Sequence, residues 1–449
     1  TGHNRDLHSF PTRRSSDLTL FLVASKSGKT LEVSSLFHYF YHLADQTPDV
    51  IAHEHFIFIT DEGSPMLELA WQLNISYVFS NNPNIGGRYS ALSLAGIIPA
   101  VIIGIEAEKL LQKAAATANQ EKVDFFSGKN DSPGCLLGAA LGVLAQYGRD
   151  KLTLIAPPHW RHFGDWLEQL IAESTGKEGK GIVPVINEPP GDVGIYGKDR
   201  VFVFFENGNT EEDPQIADLV TAGHPVLKIH IQDVYDLGSQ MFLWEMATAV
   251  ASHVLGVNPF DQPDVEATKI NTLRMISEFK QRRTWPEEEP SIRHENYDIY
   301  GGISGTTASG VMNEFLSQAA VNAYVGIQVY ASPTDELDAA LHELRKAIIH
   351  RVKLATTLGY GPRYLHSTGQ LHKGDAGHGL FIQLTHENET DMDIPDAPDK
   401  AGSSLTFGAL KAAQAAADRQ ALADLGRKII RIHLKKDAAA GLMSLAKYL

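Results

Sequence analysis

Residues 19–32, TLFLVASKSGKTLE, constrain the fold of this chain more than any other stretch. An apolar run over residues 20–24 stops abruptly in Ser25-Lys26-Ser27-Gly28-Lys29-Thr30, after which Leu36, Phe37, Phe40 and Leu43 recur at helical spacing. The run reads as a buried parallel strand, and the spacing behind it as an amphipathic helix. The polar loop therefore lies at a strand-to-helix turn, where unpaired backbone N–H groups and the helix dipole favour an anion. Ser27 and Thr30 add hydroxyl donors, and Lys26 and Lys29 add positive charge. The loop is neither the dinucleotide pattern GxGxxG nor the nucleotide loop GxxxxGK followed by Ser or Thr. The anion it suits is the phosphate of a small metabolite; the alternative is a Ser/Thr-rich helix N-cap without a ligand.

The same alternation continues downstream. A strand is expected over residues 55–60 (HFIFIT), a turn at DEGSP with Pro65 opening a helix, and a third strand over residues 76–80. From Lys151 the pattern restarts, with strands at 152–156, 201–205 and 228–231 around a helix at 163–173. Strands alternating with helices predict parallel sheets, so the fold class is α/β with two doubly wound, flavodoxin-like lobes. From Tyr324 the order reads strand, helix, a strand near Tyr364, a strand at 380–384, a long helix, and a strand at 429–434. That βαββαβ order predicts a smaller C-terminal domain of split βαβ type. The expected boundaries are residues 19–149, 150–283, a linker at 284–322 containing TWPEEEPS, and 323–449. Within the linker, GGISGTT at 301–307 reads as a flexible turn, with a second anion loop as the alternative.

Residues 1–18 lack apolar periodicity and the layout of a signal peptide. The part HSFPTRRSSDL resembles the translation of a sequencing-adapter oligonucleotide, so the expectation is a non-native leader joined to a chain truncated at its N-terminus. An uninterrupted genomic copy encoding the same peptide would contradict that.

Composition narrows the partners. A formal net charge of −15 opposes nucleic acid and anionic membrane surfaces, so an anionic substrate must meet a local cluster of Lys and Arg. One cysteine, Cys135, precludes an intrachain disulfide and fits a reducing cytoplasm. The apolar segment 91–105 is too short to span a bilayer, and Gly96 and Pro99 interrupt it, which predicts a core helix.

Four further constellations bear on chemistry. In NIGGRYS, Arg88 follows two glycines, and a guanidinium there suits a phosphate or a developing oxyanion; the alternative is a surface arginine. Gln169 and Glu173 fall one turn apart near a helix C-terminus, where a carboxylate can act as general base, although solvated glutamates are commoner. In GVNPFDQPDVEATK, Gln262 and Lys269 lie seven residues apart, with Lys269 expected two turns into a helix as proton donor, phosphate contact or plain surface lysine. His366, His372 and His378 recur every six residues, unlike the i, i+4 spacing of helical zinc ligands, so one proton-transferring His is preferred to a metal site.

Taken together, SKSGKTLE, NIGGRYSALS, QLIAESTGKEGKG and GVNPFDQPDVEATK resemble the glucose-6-phosphate isomerase family. YDLGSQMFLWEMATAVA and GPRYLHSTGQLHKG look closest to the isomerase half of bacterial transaldolase and glucose-6-phosphate isomerase fusions. The resemblance implies two sugar-isomerase (SIS) domains, no metal or organic cofactor, a homodimer, and interconversion of glucose 6-phosphate and fructose 6-phosphate through a cis-enediol. By motif, Ser25, Lys26, Ser27 and Thr30 would hold the phosphate, with Lys29 standing where the family usually has Thr. Glu32 would orient substrate or a catalytic water. Glu173 would be the base and Arg88 the oxyanion stabiliser, with Gln169 positioning substrate, Gln262 near its phosphate and Lys269 assisting ring opening. Family members carry the ring-opening His in LHSxGQ soon after the catalytic Glu, whereas LHSTGQ lies far downstream here; the motif assigns His366, with His372 and His224 as alternatives. Rival readings are a non-catalytic SIS-type module that binds a sugar phosphate, and an isomerase of another sugar phosphate.

Overall fold

The computed structural model describes residues 19–127, 132–207, 214–282, 284–285, 288–302, 305–387, 390–447 and 449. The leader expected at 1–18 lies outside the described residues, as do residues 303–304 of the GGISGTT turn.

The chain runs β1 (Phe21–Ala24), α1 (Leu31–Asp45), β2 (Phe56–Asp61), α2 (Pro65–Gln72), β3 (Tyr77–Asn81), α3 (Leu94–Ile102), α4 (Ala107–Ser127) and α5 (Pro133–Gln146). It continues with β4 (Lys151–Ile155), α6 (Phe163–Thr175), β5 (Val183–Val185), β6 (Arg200–Asn207), α7 (Pro214–Thr221), β7 (Val226–Ile231), α8 (Asp236–Leu255) and α9 (Val265–Arg282). Then follow β8 (Ile292–Arg293), β9 (Tyr297–Tyr300), α10 (Ala308–Ser317), β10 (Tyr324–Tyr330), α11 (Asp335–Val352), β11 (Ala355–Tyr360), α12 (Gly369–Gly374) and β12 (Gly379–His386). The last elements are β13 (Asp393–Pro395), β14 (Ser403–Thr406), α13 (Phe407–Asp424), β15 (Lys428–Leu434) and α14 (Ala438–Ala446).

Among the described residues these elements form two compact units, residues 19–111 with 390–410, and residues 112–389 with 411–449. The first holds a three-stranded parallel sheet, β1-β2-β3. Its core joins Val23, Phe56 and Phe58 of the sheet to Phe37 and Tyr41 of α1 and Met66 and Ala70 of α2, so both helices cover one face. Pro65 opens α2 as expected, and Ser64 caps it by accepting the Leu67 N–H at 3.1 Å. The hairpin β13-β14 also belongs to this unit; His38 of α1 contacts the Pro395 carbonyl at 3.0 Å. Segment 91–105 was expected to be a core helix, yet α3 contains no buried residue and Ile103 beyond it is 77% exposed. Its apolar composition reports hydrophobicity; what packs over a helix is decided by tertiary neighbours that composition does not encode.

The second unit contains two sheets. One is four-stranded and parallel in the order β5-β4-β6-β7, a doubly wound arrangement with the apolar run 201–205 buried at its centre. The other runs β11-β10-β12-β15-β9-β8. Its first four strands are all parallel, and β9 pairs antiparallel with β15 and with β8. The C-terminal part is therefore an α/β sheet, as expected, but β11, β10, β12 and β15 lie side by side and parallel, so the split βαβ arrangement is not what forms. The strand placed near Tyr364 is in fact β11, and Tyr364 itself lies in a single 3-10 turn, Arg363–His366. The segment expected to be a linker, 284–322, contributes β8, β9 and α10 to that sheet and its core, where Tyr297, Ile299, Met312 and Phe315 are buried.

The two sheets share a core at one edge, through Val183 and Val185 of β5, Ala172 of α6, and Tyr324, Ala355, Leu371 and Phe381. Buried polar ties cross the same seam. Glu188 receives both terminal nitrogens of Arg200, at 2.7 and 3.1 Å, and the Thr356 N–H at 2.8 Å, while Arg345 donates to the Ile186 and Asn187 carbonyls. The expected divisions at 149/150 and around 284–322 are thus replaced by a boundary between Leu111 and Gln112 and by one unit built on two sheets.

Candidate functional site

In the first unit the chemistry-bearing loops all leave the carboxyl ends of parallel strands, where such sheets present ligands to backbone donors. Residues 25–30 follow β1, residues 62–64 follow β2, and residues 82–88 follow β3. Thr60 pins the first loop by donating its hydroxyl to the Ser25 carbonyl at 2.7 Å. Gly28 has φ +64°, and a Cβ there would sit 2.9 Å from Met66, so the turn requires glycine. Thr30 is the N-cap residue of α1, but its side chain makes no cap bond; Ser25 Oγ donates to Thr30 Oγ1 at 3.3 Å instead. Thr30 therefore does not cap α1 in the way an ordinary Ser/Thr N-terminus does.

Lys26 departs from expectation. Its ammonium contacts Asp61 Oδ1 at 2.5 Å and the Asn82 carbonyl at 3.1 Å, so its charge ties the three loops together. The exposed Lys29 is then the cation the loop presents outward. Glu32 lies half-buried in the first turn of α1. Arg88 is no surface residue: it is 3% exposed in a 3-10 turn, Gly87–Tyr89, with its guanidinium 5.7 Å from the Tyr89 ring centroid. A Cβ on Gly86 or Gly87 would meet nothing within 4 Å, so the backbone before Arg88 borders open space.

In the second unit, three segments remote in sequence meet. The first is the C-terminal half of α6, where Gln169 Nε2 donates to Glu173 Oε2 at 3.3 Å across one helical turn. The second is the turn before α9 that carries Gln262; α9 starts at Val265, so Lys269 lies one turn into the helix and not two. The third is LHSTGQLHKG, residues 365–374. Gln370, fully buried, donates to the Gly176 carbonyl at 3.0 Å and to Asp264 Oδ2 at 2.5 Å, and accepts the Asp264 N–H at 3.0 Å. Ser367 donates to Glu168 Oε1 at 2.9 Å. Lys177, also buried, donates to the Asn258 carbonyl at 2.7 Å, the Asp261 carbonyl at 2.5 Å and Asp261 Oδ1 at 2.8 Å. Folding thus lays LHSTGQ against the end of α6, although it lies far downstream in the chain.

The three candidate histidines separate clearly. His366 is exposed beside Ser367. His372 is buried, with Nδ1 3.3 Å from Gln328 Nε2, and burial together with Lys373 and Arg427 holds its pKa well below the usual imidazole range. His224 packs on Phe202 and Tyr196 in the turn before β7, at the amino end of that strand. Of the three, His366 alone is exposed to solvent. Among the described residues no group of three or more His, Cys, Asp or Glu is placed to hold a metal ion, and no helix is long and apolar enough to cross a membrane.

Sequence reasoning missed Asp61, Glu168, Lys177, Asp264 and Gln370. Lys177 and Gln370 stood inside the motifs singled out, but their partners lie 81–84 and 106–194 residues away, so no local pattern announced their roles. Glu168 precedes Gln169 on α6; burial pushes its carboxyl pKa from 4.5 up to about 7, against the opposing hydrogen bond from Ser367 and the charge of Arg363.

No family model matches the chain. A glucose-6-phosphate isomerase of Clostridium tetani is 29% identical over 306 residues, 58% of this chain and 67% of that protein. Those of Limosilactobacillus reuteri and Acholeplasma laidlawii are 28% and 29% identical over 57% of this chain, covering 65% and 69% of their own lengths. A crystal structure of a hypothetical protein from Thermus thermophilus aligns with 58% of this chain and 72% of its own at 22% identity and a TM-score of 0.49, too distant to bear on the chemistry. The chain spans about two thirds of the length of the curated relatives it matches, and over that shared part it is similar to the glucose-6-phosphate isomerase family.

Proposed function

We propose that this chain is an aldose-ketose isomerase that interconverts glucose 6-phosphate and fructose 6-phosphate by proton transfer through a cis-enediolate, with no metal or organic cofactor in the reaction. The observation that carries the reading is the convergence of the segments bearing Glu173, Lys269 and His366, tied by buried hydrogen bonds although they span almost two hundred residues of chain. Base, proton donor and ring-opening group must keep fixed separations for a proton to move between neighbouring carbons, and buried ties supply that.

In this reading Ser25, Ser27 and Thr30, with the N–H groups opening α1, hold the phosphate, and Lys29 adds charge from outside. Lys26 serves through its backbone, since Asp61 engages its ammonium. His366 and Lys269 move the proton between ring oxygen and O1 as the sugar opens. Glu173 takes the C2 proton of the open aldose and returns it to C1, with Gln169 holding the carboxylate and substrate in register and Gln262 near the phosphate. Arg88 balances the negative charge that develops on the enediolate, the electrostatic term on which such a step depends most. Glu32 orients substrate or water. A homodimer in the cytoplasm, two SIS-type domains, and descent from a transaldolase fusion belong to the same reading.

Equilibration in D2O tests it. A carboxylate that exchanges its proton with solvent between the two carbons leaves deuterium at C1 of recovered fructose 6-phosphate. Turnover without label would mean a hydride shift, and tight sugar-phosphate binding without turnover would mean a non-catalytic binding module.

A further inference from the structure

We infer that Gln370 is a positioning residue for the reaction proposed above, a single buried amide that sets the mutual register of the segments bearing Glu173, Lys269 and His366. The inference rests on that reading of the site, but its structural part stands apart from it.

A primary amide offers two donors and one two-lone-pair acceptor, and Gln370 uses both ends on different segments. Its Nε2 reaches the Gly176 carbonyl, three residues beyond Glu173, at 3.0 Å and Asp264 Oδ2 at 2.5 Å. Its Oε1 accepts the Asp264 N–H at 3.0 Å, one residue before α9 begins and five before Lys269. Gln370 itself lies in α12, four residues after His366. One amide on the His366 segment thus bonds both the end of α6 and the start of α9.

The surrounding backbone is built to bring this amide in. A Cβ on Gly374 would lie 2.4 Å from the Gly176 carbonyl oxygen and 2.6 Å from Asp264 Oδ2, and one on Gly176 would lie 2.5 Å from Leu371 Cα. The Gly179 N–H donates to the Gly374 carbonyl at 2.9 Å. Glycine at both positions lets the two segments touch backbone to backbone, and only at that approach can one side chain reach both neighbours. Removing the amide leaves the buried Gly176 carbonyl and the half-buried Asp264 carboxylate without this donor.

The test compares Gln370→Leu and Gln370→Glu in the full chain, using fructose 6-phosphate. Gln370→Leu removes both ends of the amide, and Gln370→Glu sets a carboxylate against the Asp264 carboxylate and the Gly176 carbonyl. The expected result is a fall in kcat of about 100-fold for both variants, since a misplacement near 1 Å costs roughly that much. KM should change by less than about threefold. A loss confined to melting temperature, or an equal loss in kcat and 1/KM, overturns the proposal.

Hydrogen exchange separates this from failure of the functional reading. In Gln370→Leu, amides in residues 173–181, 264–269 and 365–374 should lose protection together. If the unaltered chain does not isomerise sugar phosphates but this joint loss is seen, the enzymatic reading fails while the junction stands. Unchanged protection, or loss in one segment alone, removes the junction as well.

Discussion

Replacing Glu168 with Gln should stabilise the protein, and only on the alkaline side. Glu168 is 4% exposed on α6, and burial raises its carboxyl from 4.5 to about 7; Ser367 and the charges of Arg363 and Arg345 pull the other way, and Asp165 adds slightly to the rise. Below pH 4.5 the carboxyl is protonated both folded and unfolded, and nothing is lost. Between 4.5 and 7 the unfolded chain releases the proton while the folded one keeps it, so stability falls as pH rises through that window. Above 7 the folded protein carries the full cost of a buried carboxylate. At about 1.4 kcal/mol per pH unit, that cost is about 3 kcal/mol. Gln has the same shape, carries no charge, and its Oε1 still accepts the Ser367 hydroxyl. Urea titrations of parent and variant at pH 4.5, 6 and 8, followed through the buried Trp160 and Trp244 of the same unit, read the difference directly. The variant should match the parent at pH 4.5 and exceed it by about 3 kcal/mol at pH 8. A difference that does not depend on pH, or a parent that gains on the variant as pH rises, would refute the reasoning.

Three further outcomes follow from the same structure. Glu245 on α8 is pushed to about 8 by burial alone, and its Oε1 meets no hydrogen-bond partner among the described residues, so Glu245→Gln should gain stability over the parent between pH 4.5 and 8.5, read as a rising difference in melting temperature. Arg200→Met leaves Glu188 buried without its bidentate partner and should cost about 3–5 kcal/mol in urea unfolding at pH 7. Under the proposed function, Lys29→Ala should raise KM for fructose 6-phosphate severalfold at low salt with kcat nearly unchanged, an effect that shrinks as salt increases; an unchanged KM would take Lys29 out of phosphate binding.

Four of the strands that sequence made legible share one property, whereas β1, read as buried, has only Val23 buried. β2, β6, β10 and β12 are apolar runs buried on both faces, a pattern that needs no knowledge of neighbours. β5 escaped because Val183–Val185 is three residues long, and β11 because ATTLGY carries two threonines and a glycine, which drew the expected strand toward Tyr364. β8 and β9 hid next to TWPEEEPS, whose charge reads as a linker while the flanking Tyr297 and Ile299 enter the core. Of the C-terminal sheet, β10, β12 and β15 were read in place but their order in the sheet was not, since strand order and direction follow from which crossovers pack and not from the succession of elements.

The candidate residues divide in the same way. Ser25, Thr30, Arg88, Gln169 and Glu173 could be singled out from the sequence because loop glycines and helix periodicity are local. Lys26 was visible as a charge, but its partner Asp61 lies 35 residues away, and that pairing changes what the loop presents. The ties made by Gln370, Lys177 and Ser367 link segments 81–199 residues apart, so the junction that joins the second unit's candidate segments is one that only the folded chain displays.

The most direct test of the central claim is the rate at which purified chain lacking residues 1–18 converts fructose 6-phosphate to glucose 6-phosphate in the presence of a chelator, measured beside Glu173→Gln. Turnover should resist the chelator and fall by at least about a thousandfold in the variant, with phosphate-dependent substrate binding retained. A folded parent that binds the sugar phosphate without turning it over, or a variant as active as the parent, would contradict it.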